Sequence, residues 1–216
     1  MKEAIIFFTR VPLPGKTKTR LLTDFSPQEA ARIHKIILTS IFNNILSVDR
    51  DIFVYINPME ESEVLKELLN WDRFYPQIGE NLNEKMQNAI FEVLDRGYER
   101  VILLGSDLIG VTEDYLQKAF DILDTKDIVI GPSEDGGYCL IGMKKKIFCV
   151  FDEEKSSHSK VLENLISRID NDNLSYELLE EIYDVDLTSD FNRVTGNTNK
   201  DIDEFERIIR SEYERK

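Results

Sequence analysis

Four cations, Arg10, Lys16, Lys18 and Arg20, fall within eleven residues of the stretch TRVPLPGKTKTRL, with no acid among them. The whole chain holds 27 Lys and Arg against 41 Asp and Glu, a formal charge of −14, so this cluster runs against the rest of the molecule. It reads either as a solvated basic loop or as a small anion site, and the loop-shaping residues within it favour the anion site. Gly15-Lys16-Thr17 matches the tail of a phosphate-binding P-loop. A complete P-loop needs a glycine separated from that tail by four residues, but Arg10 stands at the required position. Pro12 and Pro14 also remove backbone N–H donors of the kind that cradle phosphate. The next helix-start signal comes only at Ser26. The nucleotide-hydrolysing P-loop reading therefore fails. What remains is a proline-stiffened loop in which Gly15 lets the backbone turn or approach a ligand. Its cations would neutralise a diphosphate.

The second set of candidates is acidic. Asp107 follows the apolar run Val101-Ile102-Leu103-Leu104. It reads as a metal or substrate contact at a strand end, or as the cap of the turn before the next helix. Asp184 and Asp186 alternate across Val185 and would point the same way in a strand. Mg²⁺ takes one or two carboxylates plus substrate phosphates. One Asp from each strand, facing a diphosphate on the basic loop, would make such a site. GPSEDGGY, residues 131–138, sets two glycines directly after two acids. It reads as a hairpin turn, as a ligand contact, or as a turn carrying one.

These residues need a scaffold. Residues 4–8 are continuously apolar, the pattern of a strand buried on both faces. Ser26-Pro27-Gln28-Glu29 starts a helix that should run to Leu46 with Ala30, Ile33, Ile37 and Ile41 near one face. Further strands are expected at 52–56, 101–104, 128–130, 138–143 and 182–185. Further helices are expected at 60–69, 83–95, 112–123, 160–169 and 201–215, the last charged and lying on the surface. Strands alternating with helices predict an α/β fold, a mostly parallel sheet covered on both faces. Ligands then bind beyond the carboxyl ends of the strands, which selects the loops after Phe8, Leu104, Ile130 and Val185.

The 216 residues, 42% hydrophobic, suffice for a sizeable core, and no linker or repeat divides them, so a single domain over 1–216 is expected. No apolar run reaches membrane-span length, and the N-terminus lacks the features of a signal peptide. A cytoplasmic protein is expected. The net charge argues against a nucleic-acid partner. Cys139 and Cys149 read as buried free thiols. His34 and His158 are too far apart in sequence to suggest a zinc site.

The ordered set FTRVPLPGKTKTRL, QIGENLNEKMQNA, LLGSDL, IGPSEDGGYCLIGM and DVDLTSDF resembles a family of small bacterial candidate glycosyltransferases. That family has the GT-A, nucleotide-diphospho-sugar transferase fold and is often labelled as transferases associated with radical-SAM or selenium domains. The resemblance covers roughly residues 4–194. It implies a three-layer α/β/α sheet with a nucleotide near the first loop. Lys18 and Arg20 fall on the family's KTR positions. Asp107 falls where related enzymes place a metal-binding Asp, and Asp186 where related nucleotidyltransferases place a second ligand, before a short helix. Asp135 falls near the acceptor or sugar. The chain departs from the pattern in four places. Arg10 replaces a lysine. Asn83 and Lys85 replace a glycine and an arginine, which puts a bidentate phosphate contact in doubt. Ser156-Ser157-His158 replaces Trp-Ser-Thr, and GSDL lacks a nearby proline.

The expected activity is metal-dependent transfer from a nucleotide-activated sugar to a small-molecule acceptor. The ion would be Mg²⁺ or Mn²⁺ on Asp107 and Asp186. Arg10, Gly15, Lys16, Lys18, Arg20 and Lys85 would bind nucleotide, and Asp135 would serve as the acceptor's base. The alternative is a nucleotidyltransferase that joins an NTP to a phosphorylated small molecule and releases pyrophosphate. A non-catalytic nucleotide binder is the third reading.

Overall fold

The computed structural model describes residues 1–152 and 160–213; Ser156-Ser157-His158 lies outside the described residues. Seven strands form the main sheet: β1 (Glu3–Arg10), β2 (Asp51–Asn57), β3 (Phe74–Pro76), β4 (Arg100–Leu104), β6 (Ile128–Pro132), β7 (Tyr138–Met143) and β8 (Tyr176–Leu178). Their order is β3-β2-β1-β4-β7-β6-β8. All the pairings are parallel except those of β7, which runs antiparallel to both β4 and β6. Two further short strands, β5 (Leu108–Ile109) and β9 (Tyr183–Asp184), pair antiparallel as a separate ribbon. Within the segment 182–185, Tyr183 and Asp184 belong to this ribbon, while Ile182 bridges to Ser133 at the end of β6.

The continuous apolar run of β1 serves two cores. Ile5 and Phe7 face one cluster, while Ala4, Ile6 and Phe8 face the other. That is the period-2 alternation of a strand covered on both sides. Helices α1 (Pro27–Ser47), α4 (Glu113–Thr125), α6 (Thr188–Thr195) and α7 (Ile202–Tyr213) bury residues in the first cluster; α3 (Leu82–Asp95) and α5 (Val161–Asn171) bury theirs in the second. The eight-residue α2 (Ser62–Leu69) adds Leu65 and Leu69 to the first.

Helix α1 starts on a complete capping box. The Glu29 amide donates to Ser26 Oγ at 3.3 Å, and the Ser26 amide donates to Glu29 Oε2 at 2.7 Å. Ser26→Ala is expected to cost about 1 kcal/mol, read as a lower urea midpoint at unchanged m-value. Helix α7 is charged, yet it is not confined to the surface. Ile202, Phe205 and Ile209 form a buried stripe at helical spacing, and Phe205 stacks on Phe191 with ring centroids 4.7 Å apart. The cysteines are free but half-buried. Burial pushes the Cys139 thiol up to about 12 and the Cys149 thiol up to about 11, so neither is a ready nucleophile at neutral pH. Among the described residues no helix is long and apolar enough to cross a membrane.

Candidate active site

A cleft of about 560 Å³ opens at the carboxyl ends of β1 and β4, where parallel sheets of this kind bind ligands. Three structural devices bring its charged groups together.

The first is the turn after β1. Val11 N–H donates to Asn57 O at 3.0 Å, tying the loop's start to the end of β2. Gly15 has φ 74° and Lys18 the left-handed pair φ 48°, ψ 43°. For a lysine that conformation is uncommon and strained. It is followed by a 3₁₀ turn, Thr19–Thr23, anchored by the fully buried Leu21. The Lys18 side chain is only 2% exposed, and its ammonium lies 2.9 Å from Asp107 Oδ1 and 3.0 Å from Asp186 Oδ1.

The second is the β5–β9 ribbon. Its register sets Leu108 opposite Asp184, and Val185 N–H donates to the Asp107 carbonyl at 3.0 Å. Asp107 directly precedes β5 and Asp186 lies just beyond β9, so this ladder joins acids that are 79 positions apart in the chain. Helix α6 then fixes the Asp186 backbone: Asp190 Oδ2 accepts from the amides of Asp186 and Leu187 at 3.0 and 2.6 Å.

The third is the β6–β7 turn. Asp135 Oδ1 accepts from the Ser133 hydroxyl at 2.6 Å and from the Gly137 amide at 3.0 Å. GPSEDGGY is therefore a hairpin turn, and its Ser133, Asp135 and Tyr138 line the cleft. The Arg193 guanidinium forks onto Glu134 and lies over the Tyr183 ring, tying this turn to α6.

The result is a chain of alternating charge: Asp107, Lys18, Asp186, Arg20. Arg20 reaches Asp186 Oδ2 at 3.2 Å. Burial opposes the charge on Lys18, but the carboxylates of Asp107 and Asp186 outweigh it and hold the ammonium above its ordinary pKa. Burial likewise works against ionised Asp107. The Lys18 ammonium reverses that effect and draws its carboxyl below the usual range. Asp184 shows the opposite balance. Desolvation and the neighbouring Asp186 raise it to about 6.

A raised carboxyl pKa in the folded state means the folded chain keeps a proton that the unfolded chain has already released. Stability should therefore fall as pH rises from about 4 to about 6, and remain lower above that. The full shift corresponds to about 3 kcal/mol, and solvent reaching the half-buried side chain reduces this to about 1 kcal/mol. Asp184→Asn is expected to stabilise the metal-free protein at pH 8 and to have little effect at pH 4, as measured by denaturation in the presence of a chelator.

His34 is a site residue that sequence reasoning missed. It is 1% exposed, and burial lowers its pKa to about 4, so the imidazole is neutral. Its Nδ1 lies 2.6 Å from Thr17 Oγ1; its Nε2 lies 3.2 Å from Ser106 Oγ and 3.4 Å from Asp107 Oδ1. It props the basic turn and the Asp107 strand end from beneath. A signal was present: Ala30, His34, Ile37 and Ile41 follow helical spacing, so a titratable side chain sits on the buried stripe of α1.

Of the residues expected at the site, Arg10, Lys18, Arg20, Asp107, Asp135 and Asp186 line the cleft. Gly15, Lys16 and Lys85 are not part of its lining. Lys16 is exposed and precedes the left-handed turn that drives Lys18 inward. Leu82 and Met86, four apart on α3, line the cleft, so Lys85 projects at a different angle from the same helix.

The Asp107 and Asp186 carboxylates, 42% and 32% exposed, open onto the cleft. Lys18 and His34 both approach Oδ1 of Asp107, leaving Oδ2 without either contact. Four carboxylates (Asp107, Asp135, Asp184, Asp186) face three cations (Arg10, Lys18, Arg20) around this cleft. Among the described residues no three His, Cys, Asp or Glu side chains converge as a closed metal cage. An oxygen-only pair with surplus negative charge nevertheless fits a hard divalent ion that completes its shell with water and substrate phosphate.

Solved structures share this fold. A candidate nucleotide-diphospho-sugar transferase from Desulfovibrio desulfuricans G20 superposes with a TM-score of 0.85 at 30% identity, over 98% of each chain. The 4-diphosphocytidyl-2C-methyl-D-erythritol synthase of Anaerococcus prevotii DSM 20548 superposes with a TM-score of 0.57 at 13% identity, covering 87% of this chain and 92% of that one. A CMP:2-keto-3-deoxy-manno-octonic acid synthetase complexed with CTP gives 0.56 at 12% identity, covering 90% and 97%. At those identities the last two are similar in fold alone. No protein of curated function matches the chain in sequence. The family model that matches residues 45–158 spans Asp107 and Asp135 and stops short of Asp186. That match, over more than half of the chain, shows that the protein belongs to the family described as "Uncharacterized protein conserved in bacteria (DUF2064)".

Proposed function

We propose that the protein is a metal-dependent transferase that takes a nucleotide-activated sugar as donor. One observation carries this reading: Asp107 and Asp186 converge on Lys18 within a single cleft at the carboxyl edge of the sheet. Asp107 and Asp186 would hold Mg²⁺ or Mn²⁺, which, when bound, would supply positive charge to the leaving diphosphate. Lys18 and Arg20 are fixed by their carboxylates before any ligand arrives, so they add positive charge without reorganisation. Arg10 lines the same wall. Asp135 is the base for the acceptor hydroxyl: its Oδ1 is committed to Ser133 and Gly137, and Oδ2 takes the proton. The likeness to the Desulfovibrio protein supports the choice of donor class.

The test is a product assay on sugar nucleotides and on nucleoside triphosphates, each with Mg²⁺, with Mn²⁺ and with chelator. Metal-dependent release of a nucleoside mono- or diphosphate from a sugar nucleotide supports the proposal. Pyrophosphate released from an NTP with a phosphate ester assigns the site to nucleotidyl transfer instead. Nucleotide binding that ignores metal, with no turnover of either class, overturns both and leaves a binding protein.

A further inference from the structure

A second concavity, of about 470 Å³, lies between α1, α2 and α7, on the face of α1 opposite His34. Cations predominate in its polar chemistry. Arg32 and Arg210 share Glu206, at 2.9 Å to Oε2 and 2.7 Å to Oε1, so both oxygens of that acid are taken, and Arg32 also pairs with Asp203 at its rim. Each guanidinium still has N–H groups to give, because five are available on each. Lys35 lines the groove with no paired carboxylate among the described residues. Thr39, one turn further along α1, has a buried Oγ1 with no hydrogen-bond partner. Ser40 also lines the groove and is 7% exposed. Asn44, 5% exposed, is held by a 2.7 Å bond from Nδ2 to the Val111 carbonyl. A buried hydroxyl without a partner is costly unless something fills the role. In a chain of net charge −14, the cations Arg32, Lys35 and Arg210 outnumber the acids Glu206 and Asp203 at this groove.

We propose that this groove is a second binding site, for a phosphorylated small metabolite. The phosphoryl group lies against Lys35 and the spare N–H groups of Arg32 and Arg210. The remainder of the ligand lies along Thr39 and Ser40 and against the apolar walls, Ile36 and Leu68. The volume is that of a small-molecule site and larger than a bare phosphate needs. The site is independent of the cleft and of the transferase reading.

The test is an amide NMR titration of the full chain with two probes, inorganic phosphate and glucose 6-phosphate. Residues 35–44 report on the groove, and residues 16–20 report on the cleft. The expected result is saturable shifts at 35–44, with the sugar phosphate binding about tenfold tighter than phosphate. Lys35→Met and Thr39→Val should each remove those shifts and leave the 16–20 response intact; neither residue belongs to the cleft. Shifts confined to 16–20, or groove shifts that survive both substitutions, overturn the site. Equal affinity for the two probes overturns the metabolite assignment.

Discussion

Lys18→Met is expected to lower nucleotide affinity by at least about 30-fold, the equivalent of about 2 kcal/mol for losing one partner of a hydrogen-bonded charge pair. The side chain it removes is 2% exposed and is the common partner of Asp107 and Asp186. Breaking a fully buried pair costs roughly 3–5 kcal/mol in stability. Here the two acids open onto the cleft and can recover water. The stability loss should therefore be smaller, about 1–2 kcal/mol. Methionine matches the length of the lysine stem and keeps the left-handed backbone no worse than before. A distinguishing result comes from added Mn²⁺. With the ammonium gone, the two carboxylates face each other across an open gap, so the ion should raise the melting temperature of Lys18→Met more than that of the parent. Equal shifts in the two proteins would mean that Asp107 and Asp186 are not where the ion binds. Calorimetry with nucleotide and differential scanning with metal read these two effects separately.

Asp107→Asn is the second large effect. Turnover on whichever donor the product assay identifies should fall about 10²–10³-fold, the range for removing one preorganised electrostatic contact. Shape is kept and the side chain is partly exposed, so the fold should survive. The pH profile gives an independent check. The Lys18 ammonium holds the Asp107 carboxyl below its ordinary range. Such a group stabilises the fold above the unfolded carboxylate value and loses that contribution as pH falls through its lower folded value. The parent should therefore lose stability more steeply than Asp107→Asn as pH drops below about 4. Unchanged turnover with Mg²⁺ or Mn²⁺ present would remove Asp107 from the chemistry.

The sheet was readable from sequence because its strands are short apolar runs between turn signals. The Ser26 box fixed the start of α1 for the same local reason. The elements that escaped reading are those whose identity depends on distant partners. Phe74–Pro76 and Tyr176–Leu178 are three residues long, and β5 is two, too short for any periodicity to register. In α7 the charged residues obscured the stripe of Ile202, Phe205 and Ile209. Within the basic loop, nearness along the chain suggested four equivalent cations. A single left-handed residue separates Lys18, turned inward, from the exposed Lys16. Asp107 and Asp186 could be named as candidates from strand ends and from family resemblance. Their common partner, and the imidazole beneath them, became visible only with coordinates.

The two-rung ribbon that links Asp107 to Asp186 has an evolutionary consequence. Spacing between these acids is set by a local ladder and by the Asp190 clasp, and not by the length of polypeptide that separates them. Insertions or deletions between β7 and β8 can thus change the length of that connection while the ionic centre keeps its dimensions.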